Sequence, residues 1–117
     1  MRRALVFAVL VSALVLPLGA SARTSNSATT TTVKVTGKEF AFILSRKSGP
    51  RGIFVFRFTN RGTVPHDFKI AGKKTPLVQA GQSATLRVKI LKPRKYVYIC
   101  TVPGHAAAGM KGVFRVK

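Results

Sequence analysis

Between Val33 and the C-terminus, no stretch offers three turns of amphipathic helix, which limits the chain to a fold of short strands. Apolar and polar residues alternate in Val33-Lys34-Val35-Thr36, in Ala84–Ile90 and in Gly112–Lys117. Ile53–Thr59 is rich in β-branched and aromatic residues, and Phe40–Leu44 is a denser apolar run. His66–Ile70 and Tyr96–Cys100 are two further strand candidates. Turn residues separate them: Ser48–Gly52, Asn60-Arg61-Gly62, a basic loop at Gly72–Pro76, Gln79–Gln82 and Lys92-Pro93-Arg94. Strands of this length and spacing predict an all-β antiparallel sandwich or barrel.

The first third reads differently. Met1-Arg2-Arg3 is a positive start, Ala4–Leu18 is almost unbroken apolar sequence, and Ala20-Ser21-Ala22 has the A-x-A form of a cleavage site. This is the three-part pattern of a secretory signal peptide, expected over residues 1–22. The apolar run falls short of the roughly 20 residues that span a bilayer. An uncleaved N-terminal anchor is the alternative. Residues 23–32, with the run Thr24–Thr32, are polar and low in complexity, and they predict a flexible tether. Residues 33–117 then form the one folded domain.

Charge and cysteine content narrow the function. The chain of 117 residues carries 21 Lys and Arg against only Glu39 and Asp67, a formal charge of +19. Taking away Arg2 and Arg3 with the signal peptide lowers it to +17. Such a charge favours anionic surfaces: an acidic protein, anionic lipid or a cell-wall polymer. Nucleic acid is not expected as a partner of an exported protein whose basic residues are spread along the chain. Exported domains of this size often rely on disulfides, yet Cys100 is the single cysteine. A lone thiol in an oxidising compartment calls for burial, pairing with another chain, or occupation by a metal.

Cys100-Thr-Val-Pro-Gly-His105-Ala-Ala-Ala-Gly-Met110 places a thiolate, an imidazole and a thioether in one loop between two strands. Two imidazoles and a thiolate in a trigonal set, with a weak axial thioether, make an electron-transfer copper site. The second imidazole can come only from His66, the other histidine of the chain. The expected ligands of one copper ion are therefore His66, Cys100, His105 and Met110. Zinc fits less well, because thioether is a poor ligand for it and two acids offer little to a hydrolytic site. A Cys–His nucleophile would lack an evident orienting group beyond Asp67 and would leave Met110 without a role.

In these residues the chain resembles the cupredoxins, the family of plastocyanin, azurin, halocyanin and auracyanin. The resemblance covers Val33–Lys117. It is specific in Cys100–Gly112 (CTVPGHAAAGMKG), where the spacing is that of auracyanin and halocyanin, and is supported by Asn60–His66 (NRGTVPH). It implies a Greek-key β-sandwich with copper at one end, an electron carrier rather than an enzyme, and a monomer. Asp67 departs from the Asn that the best-known members carry after the first histidine. An Asp there can accept a hydrogen bond from Thr101, and its charge should favour Cu(II). Val102, where plastocyanin has Pro, keeps a backbone N–H that can point at the Cys100 sulfur.

The function expected from all this is single-electron transfer between redox partners, with His105 carrying the exposed edge among Pro103, Gly104 and Ala106–Ala108. The expected partner is a redox protein with an acidic docking surface, and an anionic membrane or cell wall is a second candidate. The competing reading is an exported copper-binding or copper-handling protein with no dedicated electron-transfer role. Two methionines, one of them Met1, are few for exchangeable copper delivery, and two histidines are too few for the second centre of a copper oxidase.

Overall fold

A computed structural model describes residues 8–117. The positive start of the expected signal peptide, Met1-Arg2-Arg3, lies outside the described residues. Residues 8–29 carry neither helix nor strand and are exposed. Among the described residues no helix is long and apolar enough to cross a membrane.

The rest is all β. The strands are β1 (Thr30–Lys38), β2 (Ala41–Leu44), β3 (Ser48–Gly49), β4 (Gly52–Asn60) and β5 (Lys69–Ile70), followed by β6 (Lys73–Lys74), β7 (Ser83–Ile90), β8 (Lys95–Ile99) and β9 (Lys111–Val116). One sheet has the order β2-β1-β4-β7 and the other β3-β9-β8-β5-β6, with the chain passing between them as a Greek-key sandwich requires. The sheets are mixed, where the sequence alone predicted antiparallel pairing. β1 runs parallel to β4, and β3 parallel to β9. The reason is the connection. The chain leaves β1 through β2 and visits the other sheet at β3 before entering β4, and such a crossover can deliver a strand in the same direction.

Three other expectations are corrected in detail. Strand β1 starts at Thr30, inside the stretch expected as tether, and Thr31 is buried. Threonine is β-branched, and here an existing strand edge offers it the whole register from Thr30↔Ile53 to Gly37↔Asn60. Within the apolar run Phe40–Leu44 the strand covers Ala41–Leu44, while Phe40 precedes it and is exposed, as is Ile43. Of His66–Ile70, only Lys69-Ile70 is strand, while His66 makes an isolated antiparallel bridge to Val78. The basic loop after it contains β6, joined to β5 by Ala71-Gly72. Both residues have positive φ (49° and 76°), as a two-residue turn matched to strand twist demands.

The core lies between the sheets and is dominated by aromatic rings. On β4, Phe54, Phe56 and Phe58 all point inward, as alternation dictates. They meet Phe114 of β9 and Phe68 ahead of β5, with ring centroids 5.2–5.6 Å apart for Phe54–Phe114, Phe56–Phe114 and Phe56–Phe68. Phe42 closes the set against Phe58, Phe68 and Tyr98. Edge-to-face pairs of this kind add about 0.5–1.5 kcal/mol each beyond their area burial. This rigid block fixes the strand ends from which the loops described next depart.

Candidate metal centre

Three segments far apart in sequence converge beyond the ends of β1, β4 and β8. The first is the loop after β4. Asn60, fully buried, donates from Nδ2 to the carbonyls of Val64 (2.8 Å) and Val78 (2.9 Å), and its Oδ1 accepts from the Gly62 N–H (2.8 Å). Those bonds curl residues 61–65 back on themselves. His66 then bridges Val78 through His66 N–H to Val78 O (3.1 Å) and Val78 N–H to His66 O (2.8 Å). Its ring is thereby delivered, with no solvent exposure, to the end of the sandwich.

The second segment is the loop from Cys100 to Met110. Overlapping turns wind it up: His105 N–H to Val102 O, Ala108 N–H to Gly104 O and Gly109 N–H to Ala106 O, at 3.0, 3.1 and 3.0 Å. Cys100 N–H to Met110 O and Met110 N–H to His105 O, both 3.0 Å, tie its ends together. Gly109 takes φ +121°, a conformation side chains resist, and a Cβ there would come within 3.1 Å of the Phe40 carbonyl. Met110 is fully buried. It lies against Gly37 of β1, where a Cβ would sit 3.1 Å from the Met110 Cε and 2.6 Å from Phe58.

The donor atoms meet. His66 Nδ1 and His105 Nδ1 are 3.0 Å apart, and the Cys100 Sγ lies 3.8 Å from the first and 3.6 Å from the second. Each separation is less than the sum of two metal–ligand bonds of about 2.0–2.3 Å. One ion can therefore be reached by all three atoms, and these residues form the group of donors in the described chain able to hold a metal. Two imidazole nitrogens, a thiol and a buried thioether side chain in the same loop are soft-to-borderline donors, the set that suits copper.

Asp67 ties the two segments together. It is buried and accepts from the Thr101 N–H at 2.6 Å through Oδ1 and from the Thr101 hydroxyl through Oδ2. Both bonds were open possibilities in the sequence, and both are made. Burial above all pushes the Cys100 thiol pKa up, the backbone N–H groups of Asp67 and Val102 partly oppose it, and the Asp67 carboxylate adds to the rise.

The third segment, Glu39-Phe40 between β1 and β2, had no signal in the sequence beyond its apolar neighbours. Glu39 Oε1 accepts from His66 Nε2 (3.0 Å), Thr63 N–H (2.8 Å) and Val64 N–H (2.9 Å). The Val64 N–H above all, with the Glu39 and Thr63 N–H groups, holds its carboxyl at a pKa of about 2. Phe40 sets its ring edge-on to His105, centroids 5.0 Å apart. An acid in the turn of a hairpin looks like any solvated loop residue until the loop after β4 folds over it.

Comparison with known proteins agrees with this geometry. Residues 20–117 match the family of copper binding proteins of the plastocyanin/azurin type. Auracyanin-B of Chloroflexus aurantiacus is 42% identical over 52 residues, which is 44% of this chain and 22% of that protein. The match thus spans less than a quarter of that relative's length. In fold, the chain is similar to dithionite-reduced auracyanin from Roseiflexus castenholzii (TM-score 0.63, 24% identity, 74% of this chain and 96% of that one). Rusticyanin from Thiobacillus ferrooxidans is similar at TM-score 0.64 and 22% identity, over 75% of this chain and 77% of its own. With the matched region reaching from residue 20 to the last residue, the chain belongs to the plastocyanin/azurin family of copper-binding proteins.

Proposed function

We propose that His66, Cys100, His105 and Met110 hold one copper ion and that the protein carries single electrons between redox partners outside the cytoplasm. The convergence of His66 Nδ1, His105 Nδ1 and Cys100 Sγ within 3.8 Å supports this most directly. Copper, once bound, supplies a one-electron couple. The chain supplies a donor set held from three sides, so that little needs to rearrange when charge changes. Its core block, the Asn60 bonds and the Asp67–Thr101 bonds all restrain the ligand loops.

His66, Cys100 and Met110 have at most 1% exposure, whereas His105 is half-buried. His105 is therefore the edge through which a partner comes closest to the centre. Around it Phe40, Val64, Ala107 and Ala108 are exposed and apolar or small, a surface suited to close and short-lived docking. The strands carry cations in register: Lys34 beside Arg57, Lys69 beside Lys74 and Lys95 beside Arg115. Like charges so placed repel one another, and an acidic partner relieves that repulsion. The acidic redox partner of this reading is recognised by that field, and encounter should slow as salt rises. Export rests on the signal-peptide pattern of residues 1–22, with residues 23–29 as the remaining tether.

The test is the visible spectrum of the full chain after adding Cu(II) and removing the excess. An intense colour that a mild reductant bleaches reversibly, and that Cys100→Ser abolishes without unfolding the protein, is the expected result. A colourless protein that releases copper readily would replace this reading with copper handling.

A further inference from the structure

We propose that Glu39 is a positioning residue of the metal centre: it fixes the His66 ring from behind and, through its charge, favours the oxidised state of the ion. The inference rests on the copper reading above and goes beyond the four ligands.

The hydrogen bond decides which nitrogen of His66 faces the other donors. An ionised carboxylate only accepts, so His66 Nε2, 3.0 Å from Glu39 Oε1, carries a hydrogen whether the ring is neutral or charged. Nδ1 is left as the nitrogen that a metal can take, and it is the one 3.0 Å from His105 Nδ1. A carboxylate behind a metal-binding histidine also makes the imidazole a stronger ligand.

The same oxygen is itself held. Thr63 and Val64 donate to it, and Gly62 leaves the space: a Cβ at Gly62 would lie 2.5 Å from Oε1. The next residue, Phe40, packs against the other ring ligand. One turn, remote in sequence from every ligand, thus touches both histidines.

Where the acids are placed carries the argument from geometry to charge. The chain has two, against 21 Lys and Arg. Acids serving general stability or solubility would lie among those cations. Instead, Glu39 sits behind His66 and Asp67 sits on Thr101, the neighbour of Cys100. Among the described residues neither carboxylate forms a salt bridge with a Lys or Arg, and the basic side chain beside Glu39 is His66. Both negative charges of a strongly cationic protein are therefore within reach of the donor set, where they favour Cu(II) over Cu(I) and lower the potential.

The rival reading is that Glu39 merely caps the loop at residues 61–64. Glu39→Gln separates the two, because it keeps a carbonyl oxygen for all three donors and removes the charge. In the copper-loaded full chain, Glu39→Gln should stay coloured and shift the Cu(I)/Cu(II) preference about tenfold toward Cu(I), a rise of about 59 mV. Glu39→Ala should lower Cu(II) affinity about 10–100-fold. In the metal-free protein, nitrogen-15 spectra of His66 should show the hydrogen on Nε2 in the wild type and in Glu39→Gln, and a mixture in Glu39→Ala. If Glu39→Ala fails to fold, the Glu39→Gln potential still decides. A coloured wild type with an unshifted Glu39→Gln potential would reduce Glu39 to a loop cap. A colourless wild type would instead remove the copper reading and this one with it.

Discussion

Phe56 and Asn60 lie four residues apart on β4, and neither has any solvent exposure. Phe56 packs on Phe54, Phe68 and Phe114, and nothing in that contact set depends on a particular angle or atom. Asn60 places each of its polar atoms on a named backbone partner, and those three bonds shape the loop that carries His66. The middle of the sandwich is held by area and volume; its metal end is held by direction. Among the described residues no buried side-chain nitrogen or oxygen lacks a partner, so the polar end costs little in unmet hydrogen bonds. The difference teaches that stability and donor geometry are set by separate residues, only a strand's length apart.

That separation can be tested by damaging one region and reading the other. Phe56→Ala should have the largest effect on stability, a loss of about 3–5 kcal/mol in denaturant unfolding. The folded fraction, once loaded with copper, should keep the wild-type absorption maximum, because the loops still hang from intact strand ends. A shifted maximum would show that the core and the metal end are one unit. Asn60→Ala should cost less, about 1–3 kcal/mol for the carbonyls it leaves unmet. It should nevertheless weaken copper binding more than Phe56→Ala does, measured by competition with a chelator. Equal affinities in the two variants would break the comparison.

Asp67→Asn is the finest probe, since Asn can still accept from the Thr101 N–H. Its stability should change by less than about 1 kcal/mol, within the range of one exchanged hydrogen bond. Its potential should rise by about 30–60 mV, equivalent to a three- to tenfold change in preference for Cu(I). An unchanged potential would mean that Asp67 joins the loops and does not tune the ion.

The ligand loop was legible because its chemistry is contiguous. Cys100, His105 and Met110 stand in one short segment between strands, and no packing knowledge is needed to see that it can curl around a point. His66 followed by elimination, being the other histidine. Strand positions were legible wherever alternation was clean, as in Ala84–Ile90, which matches β7 to within a residue. Thr30–Thr32 misled because a run of threonines reads as solvated tether until a neighbouring strand supplies hydrogen bonds for it. Phe40 gave no sign of its place, because an apolar residue in a run of apolar residues does not show which neighbour it meets; here it lies exposed against His105.

The amino-acid order by itself pointed to the strand-rich class and to the three donors of the Cys100–Met110 loop, because each depends on residues close together in sequence, and to His66 by elimination. Only the tertiary structure decided that β1 and β4 pair in parallel, that Asn60 folds the next loop back, and that Glu39 reaches His66 across 27 residues of chain. Those features depend on where distant backbones come to rest. A carboxylate or an amide shows its partner only after the packing of the core has brought that partner within hydrogen-bond length.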